Sequence, residues 1–150
     1  MLKSRIKNDE IKDKNSVAAA IEFAVLSLKV KDIIVCGHSN CGAMQAIFKD
    51  EREFEQMPHL RDWLRLADSV RNIVLKYYPE TSAEIRQRIT EEENVLCQLH
   101  NIQTYPFVQE ALNEGVLHLH GWHISATSLI QLFSFSFFVK AFINFSPLRL

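Results

Sequence analysis

The chain has 150 residues, 47% apolar and 23% charged, which suits one globular domain with a real core and excludes a disordered or fibrous chain. Seventeen basic residues against 18 acidic ones leave a formal net charge of −1, with no single-sign block to track a phosphate backbone, so nucleic acid is not an expected partner. Three cysteines, with no leader-like apolar segment ahead of them, argue against a secreted disulfide framework and for free or metal-bound thiols in a reducing compartment, the cytoplasm.

Residues 1–15 (MLKSRIKNDEIKDKN) alternate charge and read as a solvated polar arm. From Ser16, a good N-cap residue, the run VAAAIEFAVLSL places Val17, Ile21, Ala24 and Leu28 on one helical stripe. After the polar break at residues 29–32, IIVC is short, β-branched and uninterrupted, as expected of a parallel strand covered on both faces. A helix beginning near Cys41 turns Ala43, Met44, Ile47 and Phe48 inward, and the charged stretch from Lys49 past Pro58 reads as a loop.

The apolar period from Leu60 through Trp63, Leu64, Ala67, Val70, Ile73 and Val74 to Tyr77 predicts a single helix, stopped by Tyr78-Pro79. A longer one spans Ser82 to Ile102, with Ile85, Ile89, Leu96, Leu99 and Ile102 as its stripe. Pro106 opens a short helix that Gly115 closes, and VLHLHGW resumes strand chemistry. The order α, β, α, α, α, α, β predicts an α/β fold over residues 16–124. Residues 125–150 differ: they hold no acidic residue and are rich in phenylalanine. Gln131 and Lys140 dilute residues 129–145 below an expected membrane span, so this apolar tail reads as core-packed or poorly ordered.

His38-Ser39-Asn40-Cys41-Gly42, between strand and helix, is the stretch that carries chemistry. Imidazole nitrogen and thiolate are both good zinc ligands, and Gly37 and Gly42 are expected to let the backbone turn tightly beside an ion. The spacing alone also arises by chance. Cys36 would share a strand face with His38, giving Cys-x-His-x-x-Cys, although a small thiol packed between sheet and helix is the plainer expectation. Cys97 reads as core. His118, His120 and His123 form His-x-His-x-x-His, a second possible metal cluster or ordinary sheet histidines. His59 and His100 have no partner pattern, and Trp63, Trp122, Tyr77, Tyr78 and Tyr105 read as packing residues.

The segments SVAAAIEFAVLSLKVKDIIVCGHSNCGAMQAI, ENVLCQLHNIQTYPFVQEAL and VLHLHGWHI resemble, in that order, the bacterial and plant β-class carbonic anhydrases, zinc enzymes that interconvert carbon dioxide and bicarbonate. The resemblance runs from about Asn15 to Ile124. It implies a mostly parallel sheet flanked by helices, a homo-oligomer (a dimer or higher), Zn2+ as cofactor, His38 and Cys41 as metal ligands, and Gly42 shaping the pocket for carbon dioxide or bicarbonate. The family's third ligand is a cysteine in an earlier Cys-x-Asp-x-Arg motif, which this sequence does not contain. The resemblance therefore implies a chain without its first central strand, leaving the strand at residues 33–37 with an unpaired edge. A non-catalytic family member, either an interaction subunit that pairs through that edge or an unstable remnant, is the alternative to an enzyme, and a redox pair of Cys36 and Cys41 lacks the usual spacing.

Overall fold

The computed structural model describes residues 16–125; the polar arm and the apolar tail after Ser125 lie outside the described residues. Helix α1 (Ser16–Leu26) leads into strand β1 (Asp32–His38), and α2 (Gly42–Ala46) follows a tight turn. Then come α3 (Pro58–Leu64), α4 (Asp68–Tyr77), α5 (Ala83–Gln103), α6 (Pro106–Asn113) and strand β2 (His118–Ile124). The strands pair in parallel, Asp32 opposite His118 through His38 opposite Ile124. The expected α/β class with a small parallel sheet is what the chain forms.

Local chemistry sets several boundaries. The Ser82 hydroxyl accepts the Ile85 N–H at 3.3 Å and caps α5, Pro106 occupies the first turn of α6, and Gly115 stands just beyond it at φ +70°. The single helix expected from Leu60 to Tyr77 is broken by a 3-10 turn at Arg65–Ala67. Leu64, Ala67 and Val70 stay buried across the break, because a three-residue turn keeps residues three apart on one side, much as the α-helix does. Phe54, in the stretch expected to be a loop, is buried from a second 3-10 turn at Glu51–Phe54.

The core lies on both sides of α5. On one side Met44, Phe54, Leu64, Val70, Val74 and Cys97 pack together, and on the other Val25, Val95, Leu99, Val108 and Leu119 pack between helices and sheet. Val70, Val74 and Val108 are wholly buried, each worth about 1.5–3 kcal/mol over an exposed position. The stripe expected on α1 is displaced. Val25 is buried and Ile21 and Ala24 half-buried, but Val17 and Leu28 are exposed, as are Trp63 and Tyr77.

Among the described residues the sheet is covered on one face, not two. Exposure alternates along β1, because among the described residues helices pack on the side of Ile33, Val35 and Gly37, whereas Ile34 remains 45% exposed. Cys36 therefore is not the buried packing thiol expected; it lies exposed on the open face. Val95 of α5 fits between the two strand glycines of the covered face. A Cβ on Gly37 would meet its Cγ2 at 2.6 Å, and one on Gly121 would meet Leu99 Cδ1 at 2.8 Å and Val95 Cγ1 at 3.0 Å.

Two outcomes follow from this packing. Gly37→Ala should cost about 1–3 kcal/mol, and adding Val95→Ala should cost less than the sum of the single changes, because the second makes room for the first; urea unfolding of the four chains measures this.

Glu93 supplies the other. Its side chain is almost fully buried, and Oε1 has no hydrogen-bond partner among the described residues. Burial pushes its carboxyl above the ordinary value, against the opposing pull of the Tyr78 hydroxyl. The folded state thus holds this proton to higher pH than the unfolded chain, so the stability it contributes is full below the unfolded value and is lost as pH rises through the folded one. Glu93→Gln should flatten that decline as pH rises above the ordinary carboxylate range, read in urea midpoints, and make the chain more stable at neutral pH.

Candidate metal centre

β1 delivers His38 to the end of the sheet, where its last pairing is with Ile124, and the Ser39 N–H donates to the Ile124 carbonyl at 2.9 Å. The chain then reverses through Asn40 at φ +57°. This corrects the expectation that the flanking glycines make the turn. Neither Gly37 nor Gly42 has positive φ: Gly37 is needed for its close approach to Val95, while a Cβ on Gly42 would meet nothing within 4 Å. Asparagine takes the left-handed region more readily than other residues with a Cβ, which suits it to this position.

Cys41 caps α2 in extended conformation, and its backbone is held on both sides. Its N–H donates to Glu91 Oε1 at 2.8 Å, and its carbonyl accepts from the Gln87 side chain at 3.1 Å and from the Gln45 N–H at 3.2 Å. Gln87 Nε2 also donates to Glu91 Oε1 at 2.5 Å, and His123 Nε2 lies 3.1 Å from Glu91 Oε2. The Glu91 side chain is 2% exposed. A buried carboxylate with donors on both oxygens thus fixes the turn that presents the thiol.

His38 is exposed, and its Nδ1–H donates to the Ser39 carbonyl at 2.9 Å. That bond selects a tautomer whose Nε2 carries the free lone pair, the form a metal ligand requires. Cys41 is half-buried beside it on the same turn. Imidazole and thiol are both of the donor types that zinc takes. Among the described residues no group of three or more His, Cys, Asp or Glu side chains is placed to hold a metal ion. Cys36 shares the strand face of His38, as the alternation implied, yet no three-donor set forms with it. Cys97 is buried on α5 against the Ser69 hydroxyl at 3.3 Å.

Of the three histidines in His-x-His-x-x-His, the first two share a strand face, and the pleat sends the third to the other face. His118 and His120 lie on the open face near Asp32, with His120 Nε2 2.8 Å from Asp32 Oδ1 and His118 Nδ1 4.0 Å from it. His123 points to the covered face. Sequence reading missed Glu91, Gln87 and the role of His123. The only local sign was the Gln87, Glu91 spacing of four, which places both on one helical face.

A cavity of about 890 Å³ lies behind the turn, lined in part by Ser39, Asn40, Arg86, Gln87, Glu91 and His123 but by neither His38 nor Cys41. Among the described residues no helix is long and apolar enough to cross a membrane.

Comparisons with known proteins converge. A family model described as carbonic anhydrase matches residues 4–128. A carbonic anhydrase of Synechocystis sp. is 42% identical over 104 residues, covering 69% of this chain and 38% of its own length. Carbonic anhydrase 1 of Escherichia coli O157:H7 is 46% identical over 106 residues, covering 71% of this chain and 48% of that one. Among solved structures, the β-carbonic anhydrase CcaA superposes with a TM-score of 0.73 at 38% identity, over 77% of this chain and 52% of that chain. One of two tetrameric β-carbonic anhydrases of Sordaria macrospora superposes at 0.66 and 31% identity, over 76% of this chain and 56% of that one. The chain spans about half or less of the curated relatives named here.

The Asn40 turn gives a test of the local geometry. Asn40→Gly should leave the thermal midpoint unchanged or slightly higher, whereas Asn40→Val should lower stability by about 1–2 kcal/mol, the cost of a left-handed residue with a branched Cβ.

Proposed function

This chain belongs to the β-class carbonic anhydrase family, and from that premise we propose that it serves the reversible hydration of carbon dioxide to bicarbonate at a zinc site to which it contributes His38 and Cys41. The observation that carries the reading is the braced strand-end turn: both donors sit on it, His38 in the tautomer that frees Nε2 and Cys41 with its backbone held by Glu91 and Gln87. Zinc bound there would act as a Lewis acid toward water and the carbonyl-like carbon of the substrate. The chain's own residues orient the two donors and keep the turn from flexing. Gly42, with open space where a side chain would stand, leaves the approach to the donors unobstructed. The free thiols support a reducing compartment, the cytoplasm.

Assembly belongs to the same proposal. The tetrameric relatives of Sordaria macrospora suggest a homo-oligomer, and among the described residues β1 pairs only with β2, which leaves its other edge for a further strand. A second reading rests on the donor count. With two donors in place and no third among the described residues, the chain would act as a non-catalytic family member that pairs through that edge. A complete catalytic sphere needs three protein ligands and an open position.

Metal content and turnover separate these readings. Zinc bound by the purified 150-residue chain should be weak, lost on dialysis, and abolished by His38→Ala or Cys41→Ser but not by Cys36→Ser. Stopped-flow hydration should be slight until a segment carrying Cys-x-Asp-x-Arg is fused ahead of Met1. One tightly held zinc that survives His38→Ala would sink the ligand assignment. A fused chain that binds zinc and stays inert would favour the non-catalytic reading.

A further inference from the structure

We propose that His123 is a positioning residue for the metal-ligand turn, acting through Glu91 on the backbone of Cys41. The inference rests on the reading of His38 and Cys41 as ligands, but its geometry is independent of any metal. His123 lies on the covered face of β2, opposite Gly37 in the parallel register, with its side chain 10% exposed. A methyl group on Gly37 would sit 3.7 Å from its Cδ2, so the ring lies against the glycine and has little room to swing. Nε2–H points at Glu91 Oε2 from 3.1 Å.

That bond matters because of what the other oxygen does. The last torsion of a glutamate side chain is broad, so the direction of its carboxylate must be set by hydrogen bonds. Oε1 is committed to the Cys41 N–H and to Gln87, both from one side of the group. His123 donates to Oε2 from β2. Together they hold the carboxylate at two ends, and the direction of the Cys41 N–H, hence of its thiol, is held with it. Removing the imidazole strips a buried oxygen of its donor and returns rotational freedom to the group that anchors the turn.

The experiment uses the full 150-residue chain, first without metal. His123→Leu should move the Cys41 amide resonance upfield and speed its hydrogen exchange roughly tenfold, while His123→Gln, whose amide reaches the same oxygen, should restore both. In a Glu91→Gln background His123→Leu should add little, because its route runs through the carboxylate. If leucine is not accommodated, His123→Asn, polar but too short to reach Oε2, reads the same loss. Cobalt(II) titration, followed by the thiolate-to-metal charge-transfer band, should then show roughly 10- to 100-fold weaker binding in His123→Leu. An unmoved Cys41 amide in a folded His123→Leu chain, or an equal effect in the Glu91→Gln background, overturns the positioning role. Cobalt binding indifferent to His38→Ala overturns the ligand reading instead.

Discussion

The Glu91 carboxylate takes donors from three parts of the chain: the Cys41 N–H at the cap of α2, Gln87 one turn earlier on α5, and His123 on β2. A carboxylate taken so far out of water is tolerated only where its lone pairs find donors. The need is therefore structural before it is chemical. It is met only when the end of β1, the start of α2 and the register of β2 are all in their native places. The exposed donor of the site, His38, needs no such support, since its own backbone neighbour holds its ring.

What brings those parts together is the way α5 seats on the sheet. Val95 enters the space left by Gly37 and Gly121, and the helix backbone comes nearer to the strands than any side chain there would permit. Glycines at these positions fix the sliding position of α5 along β1 and β2, and so the height at which Glu91 meets Cys41. The other side of α5 carries Ile89 and Cys97 into the cluster beneath α2 and α4. A helix with apolar contacts on two sides has little surface left for its polar residues, which is why Thr90, Glu91 and Glu93 are buried.

Much of this was legible where the determinants are local. Strand, turn and helix around His38 and Cys41, the Ser82 cap, Pro106 and Gly115 all follow from residues within a few positions of the feature they set. The misses share the opposite trait. A β-branched run suggests cover on both faces, but which faces are covered depends on where distant helices land, so the exposure of Cys36 was not readable. Glu91 sits in a run of three glutamates, which reads as a solvated face until α5 is known to be packed on two sides. The shared face of His118 and His120 was readable from the pleat, but the partner of His123 was not, because Glu91 lies on α5. The 3-10 turn at Arg65–Ala67 escaped because periods of 3.0 and 3.6 differ little over one turn.

The parallel pairing of β1 with β2 has a kinetic side. Five helices, nearly all of the described chain after β1, lie between the two strands, so no hairpin can start the sheet and its ladder closes a very long loop. Contacts of such separation in sequence form slowly, after more local helix packing has shortened the path between the ends. The buried carboxylate cannot collect its donor from β2 before that closure. Until then the nascent chain holds the residues of the turn in order but not in place, and the carboxylate remains in water. Completion of the sheet and rigidity of the His38–Cys41 turn thus arrive in one late step of folding.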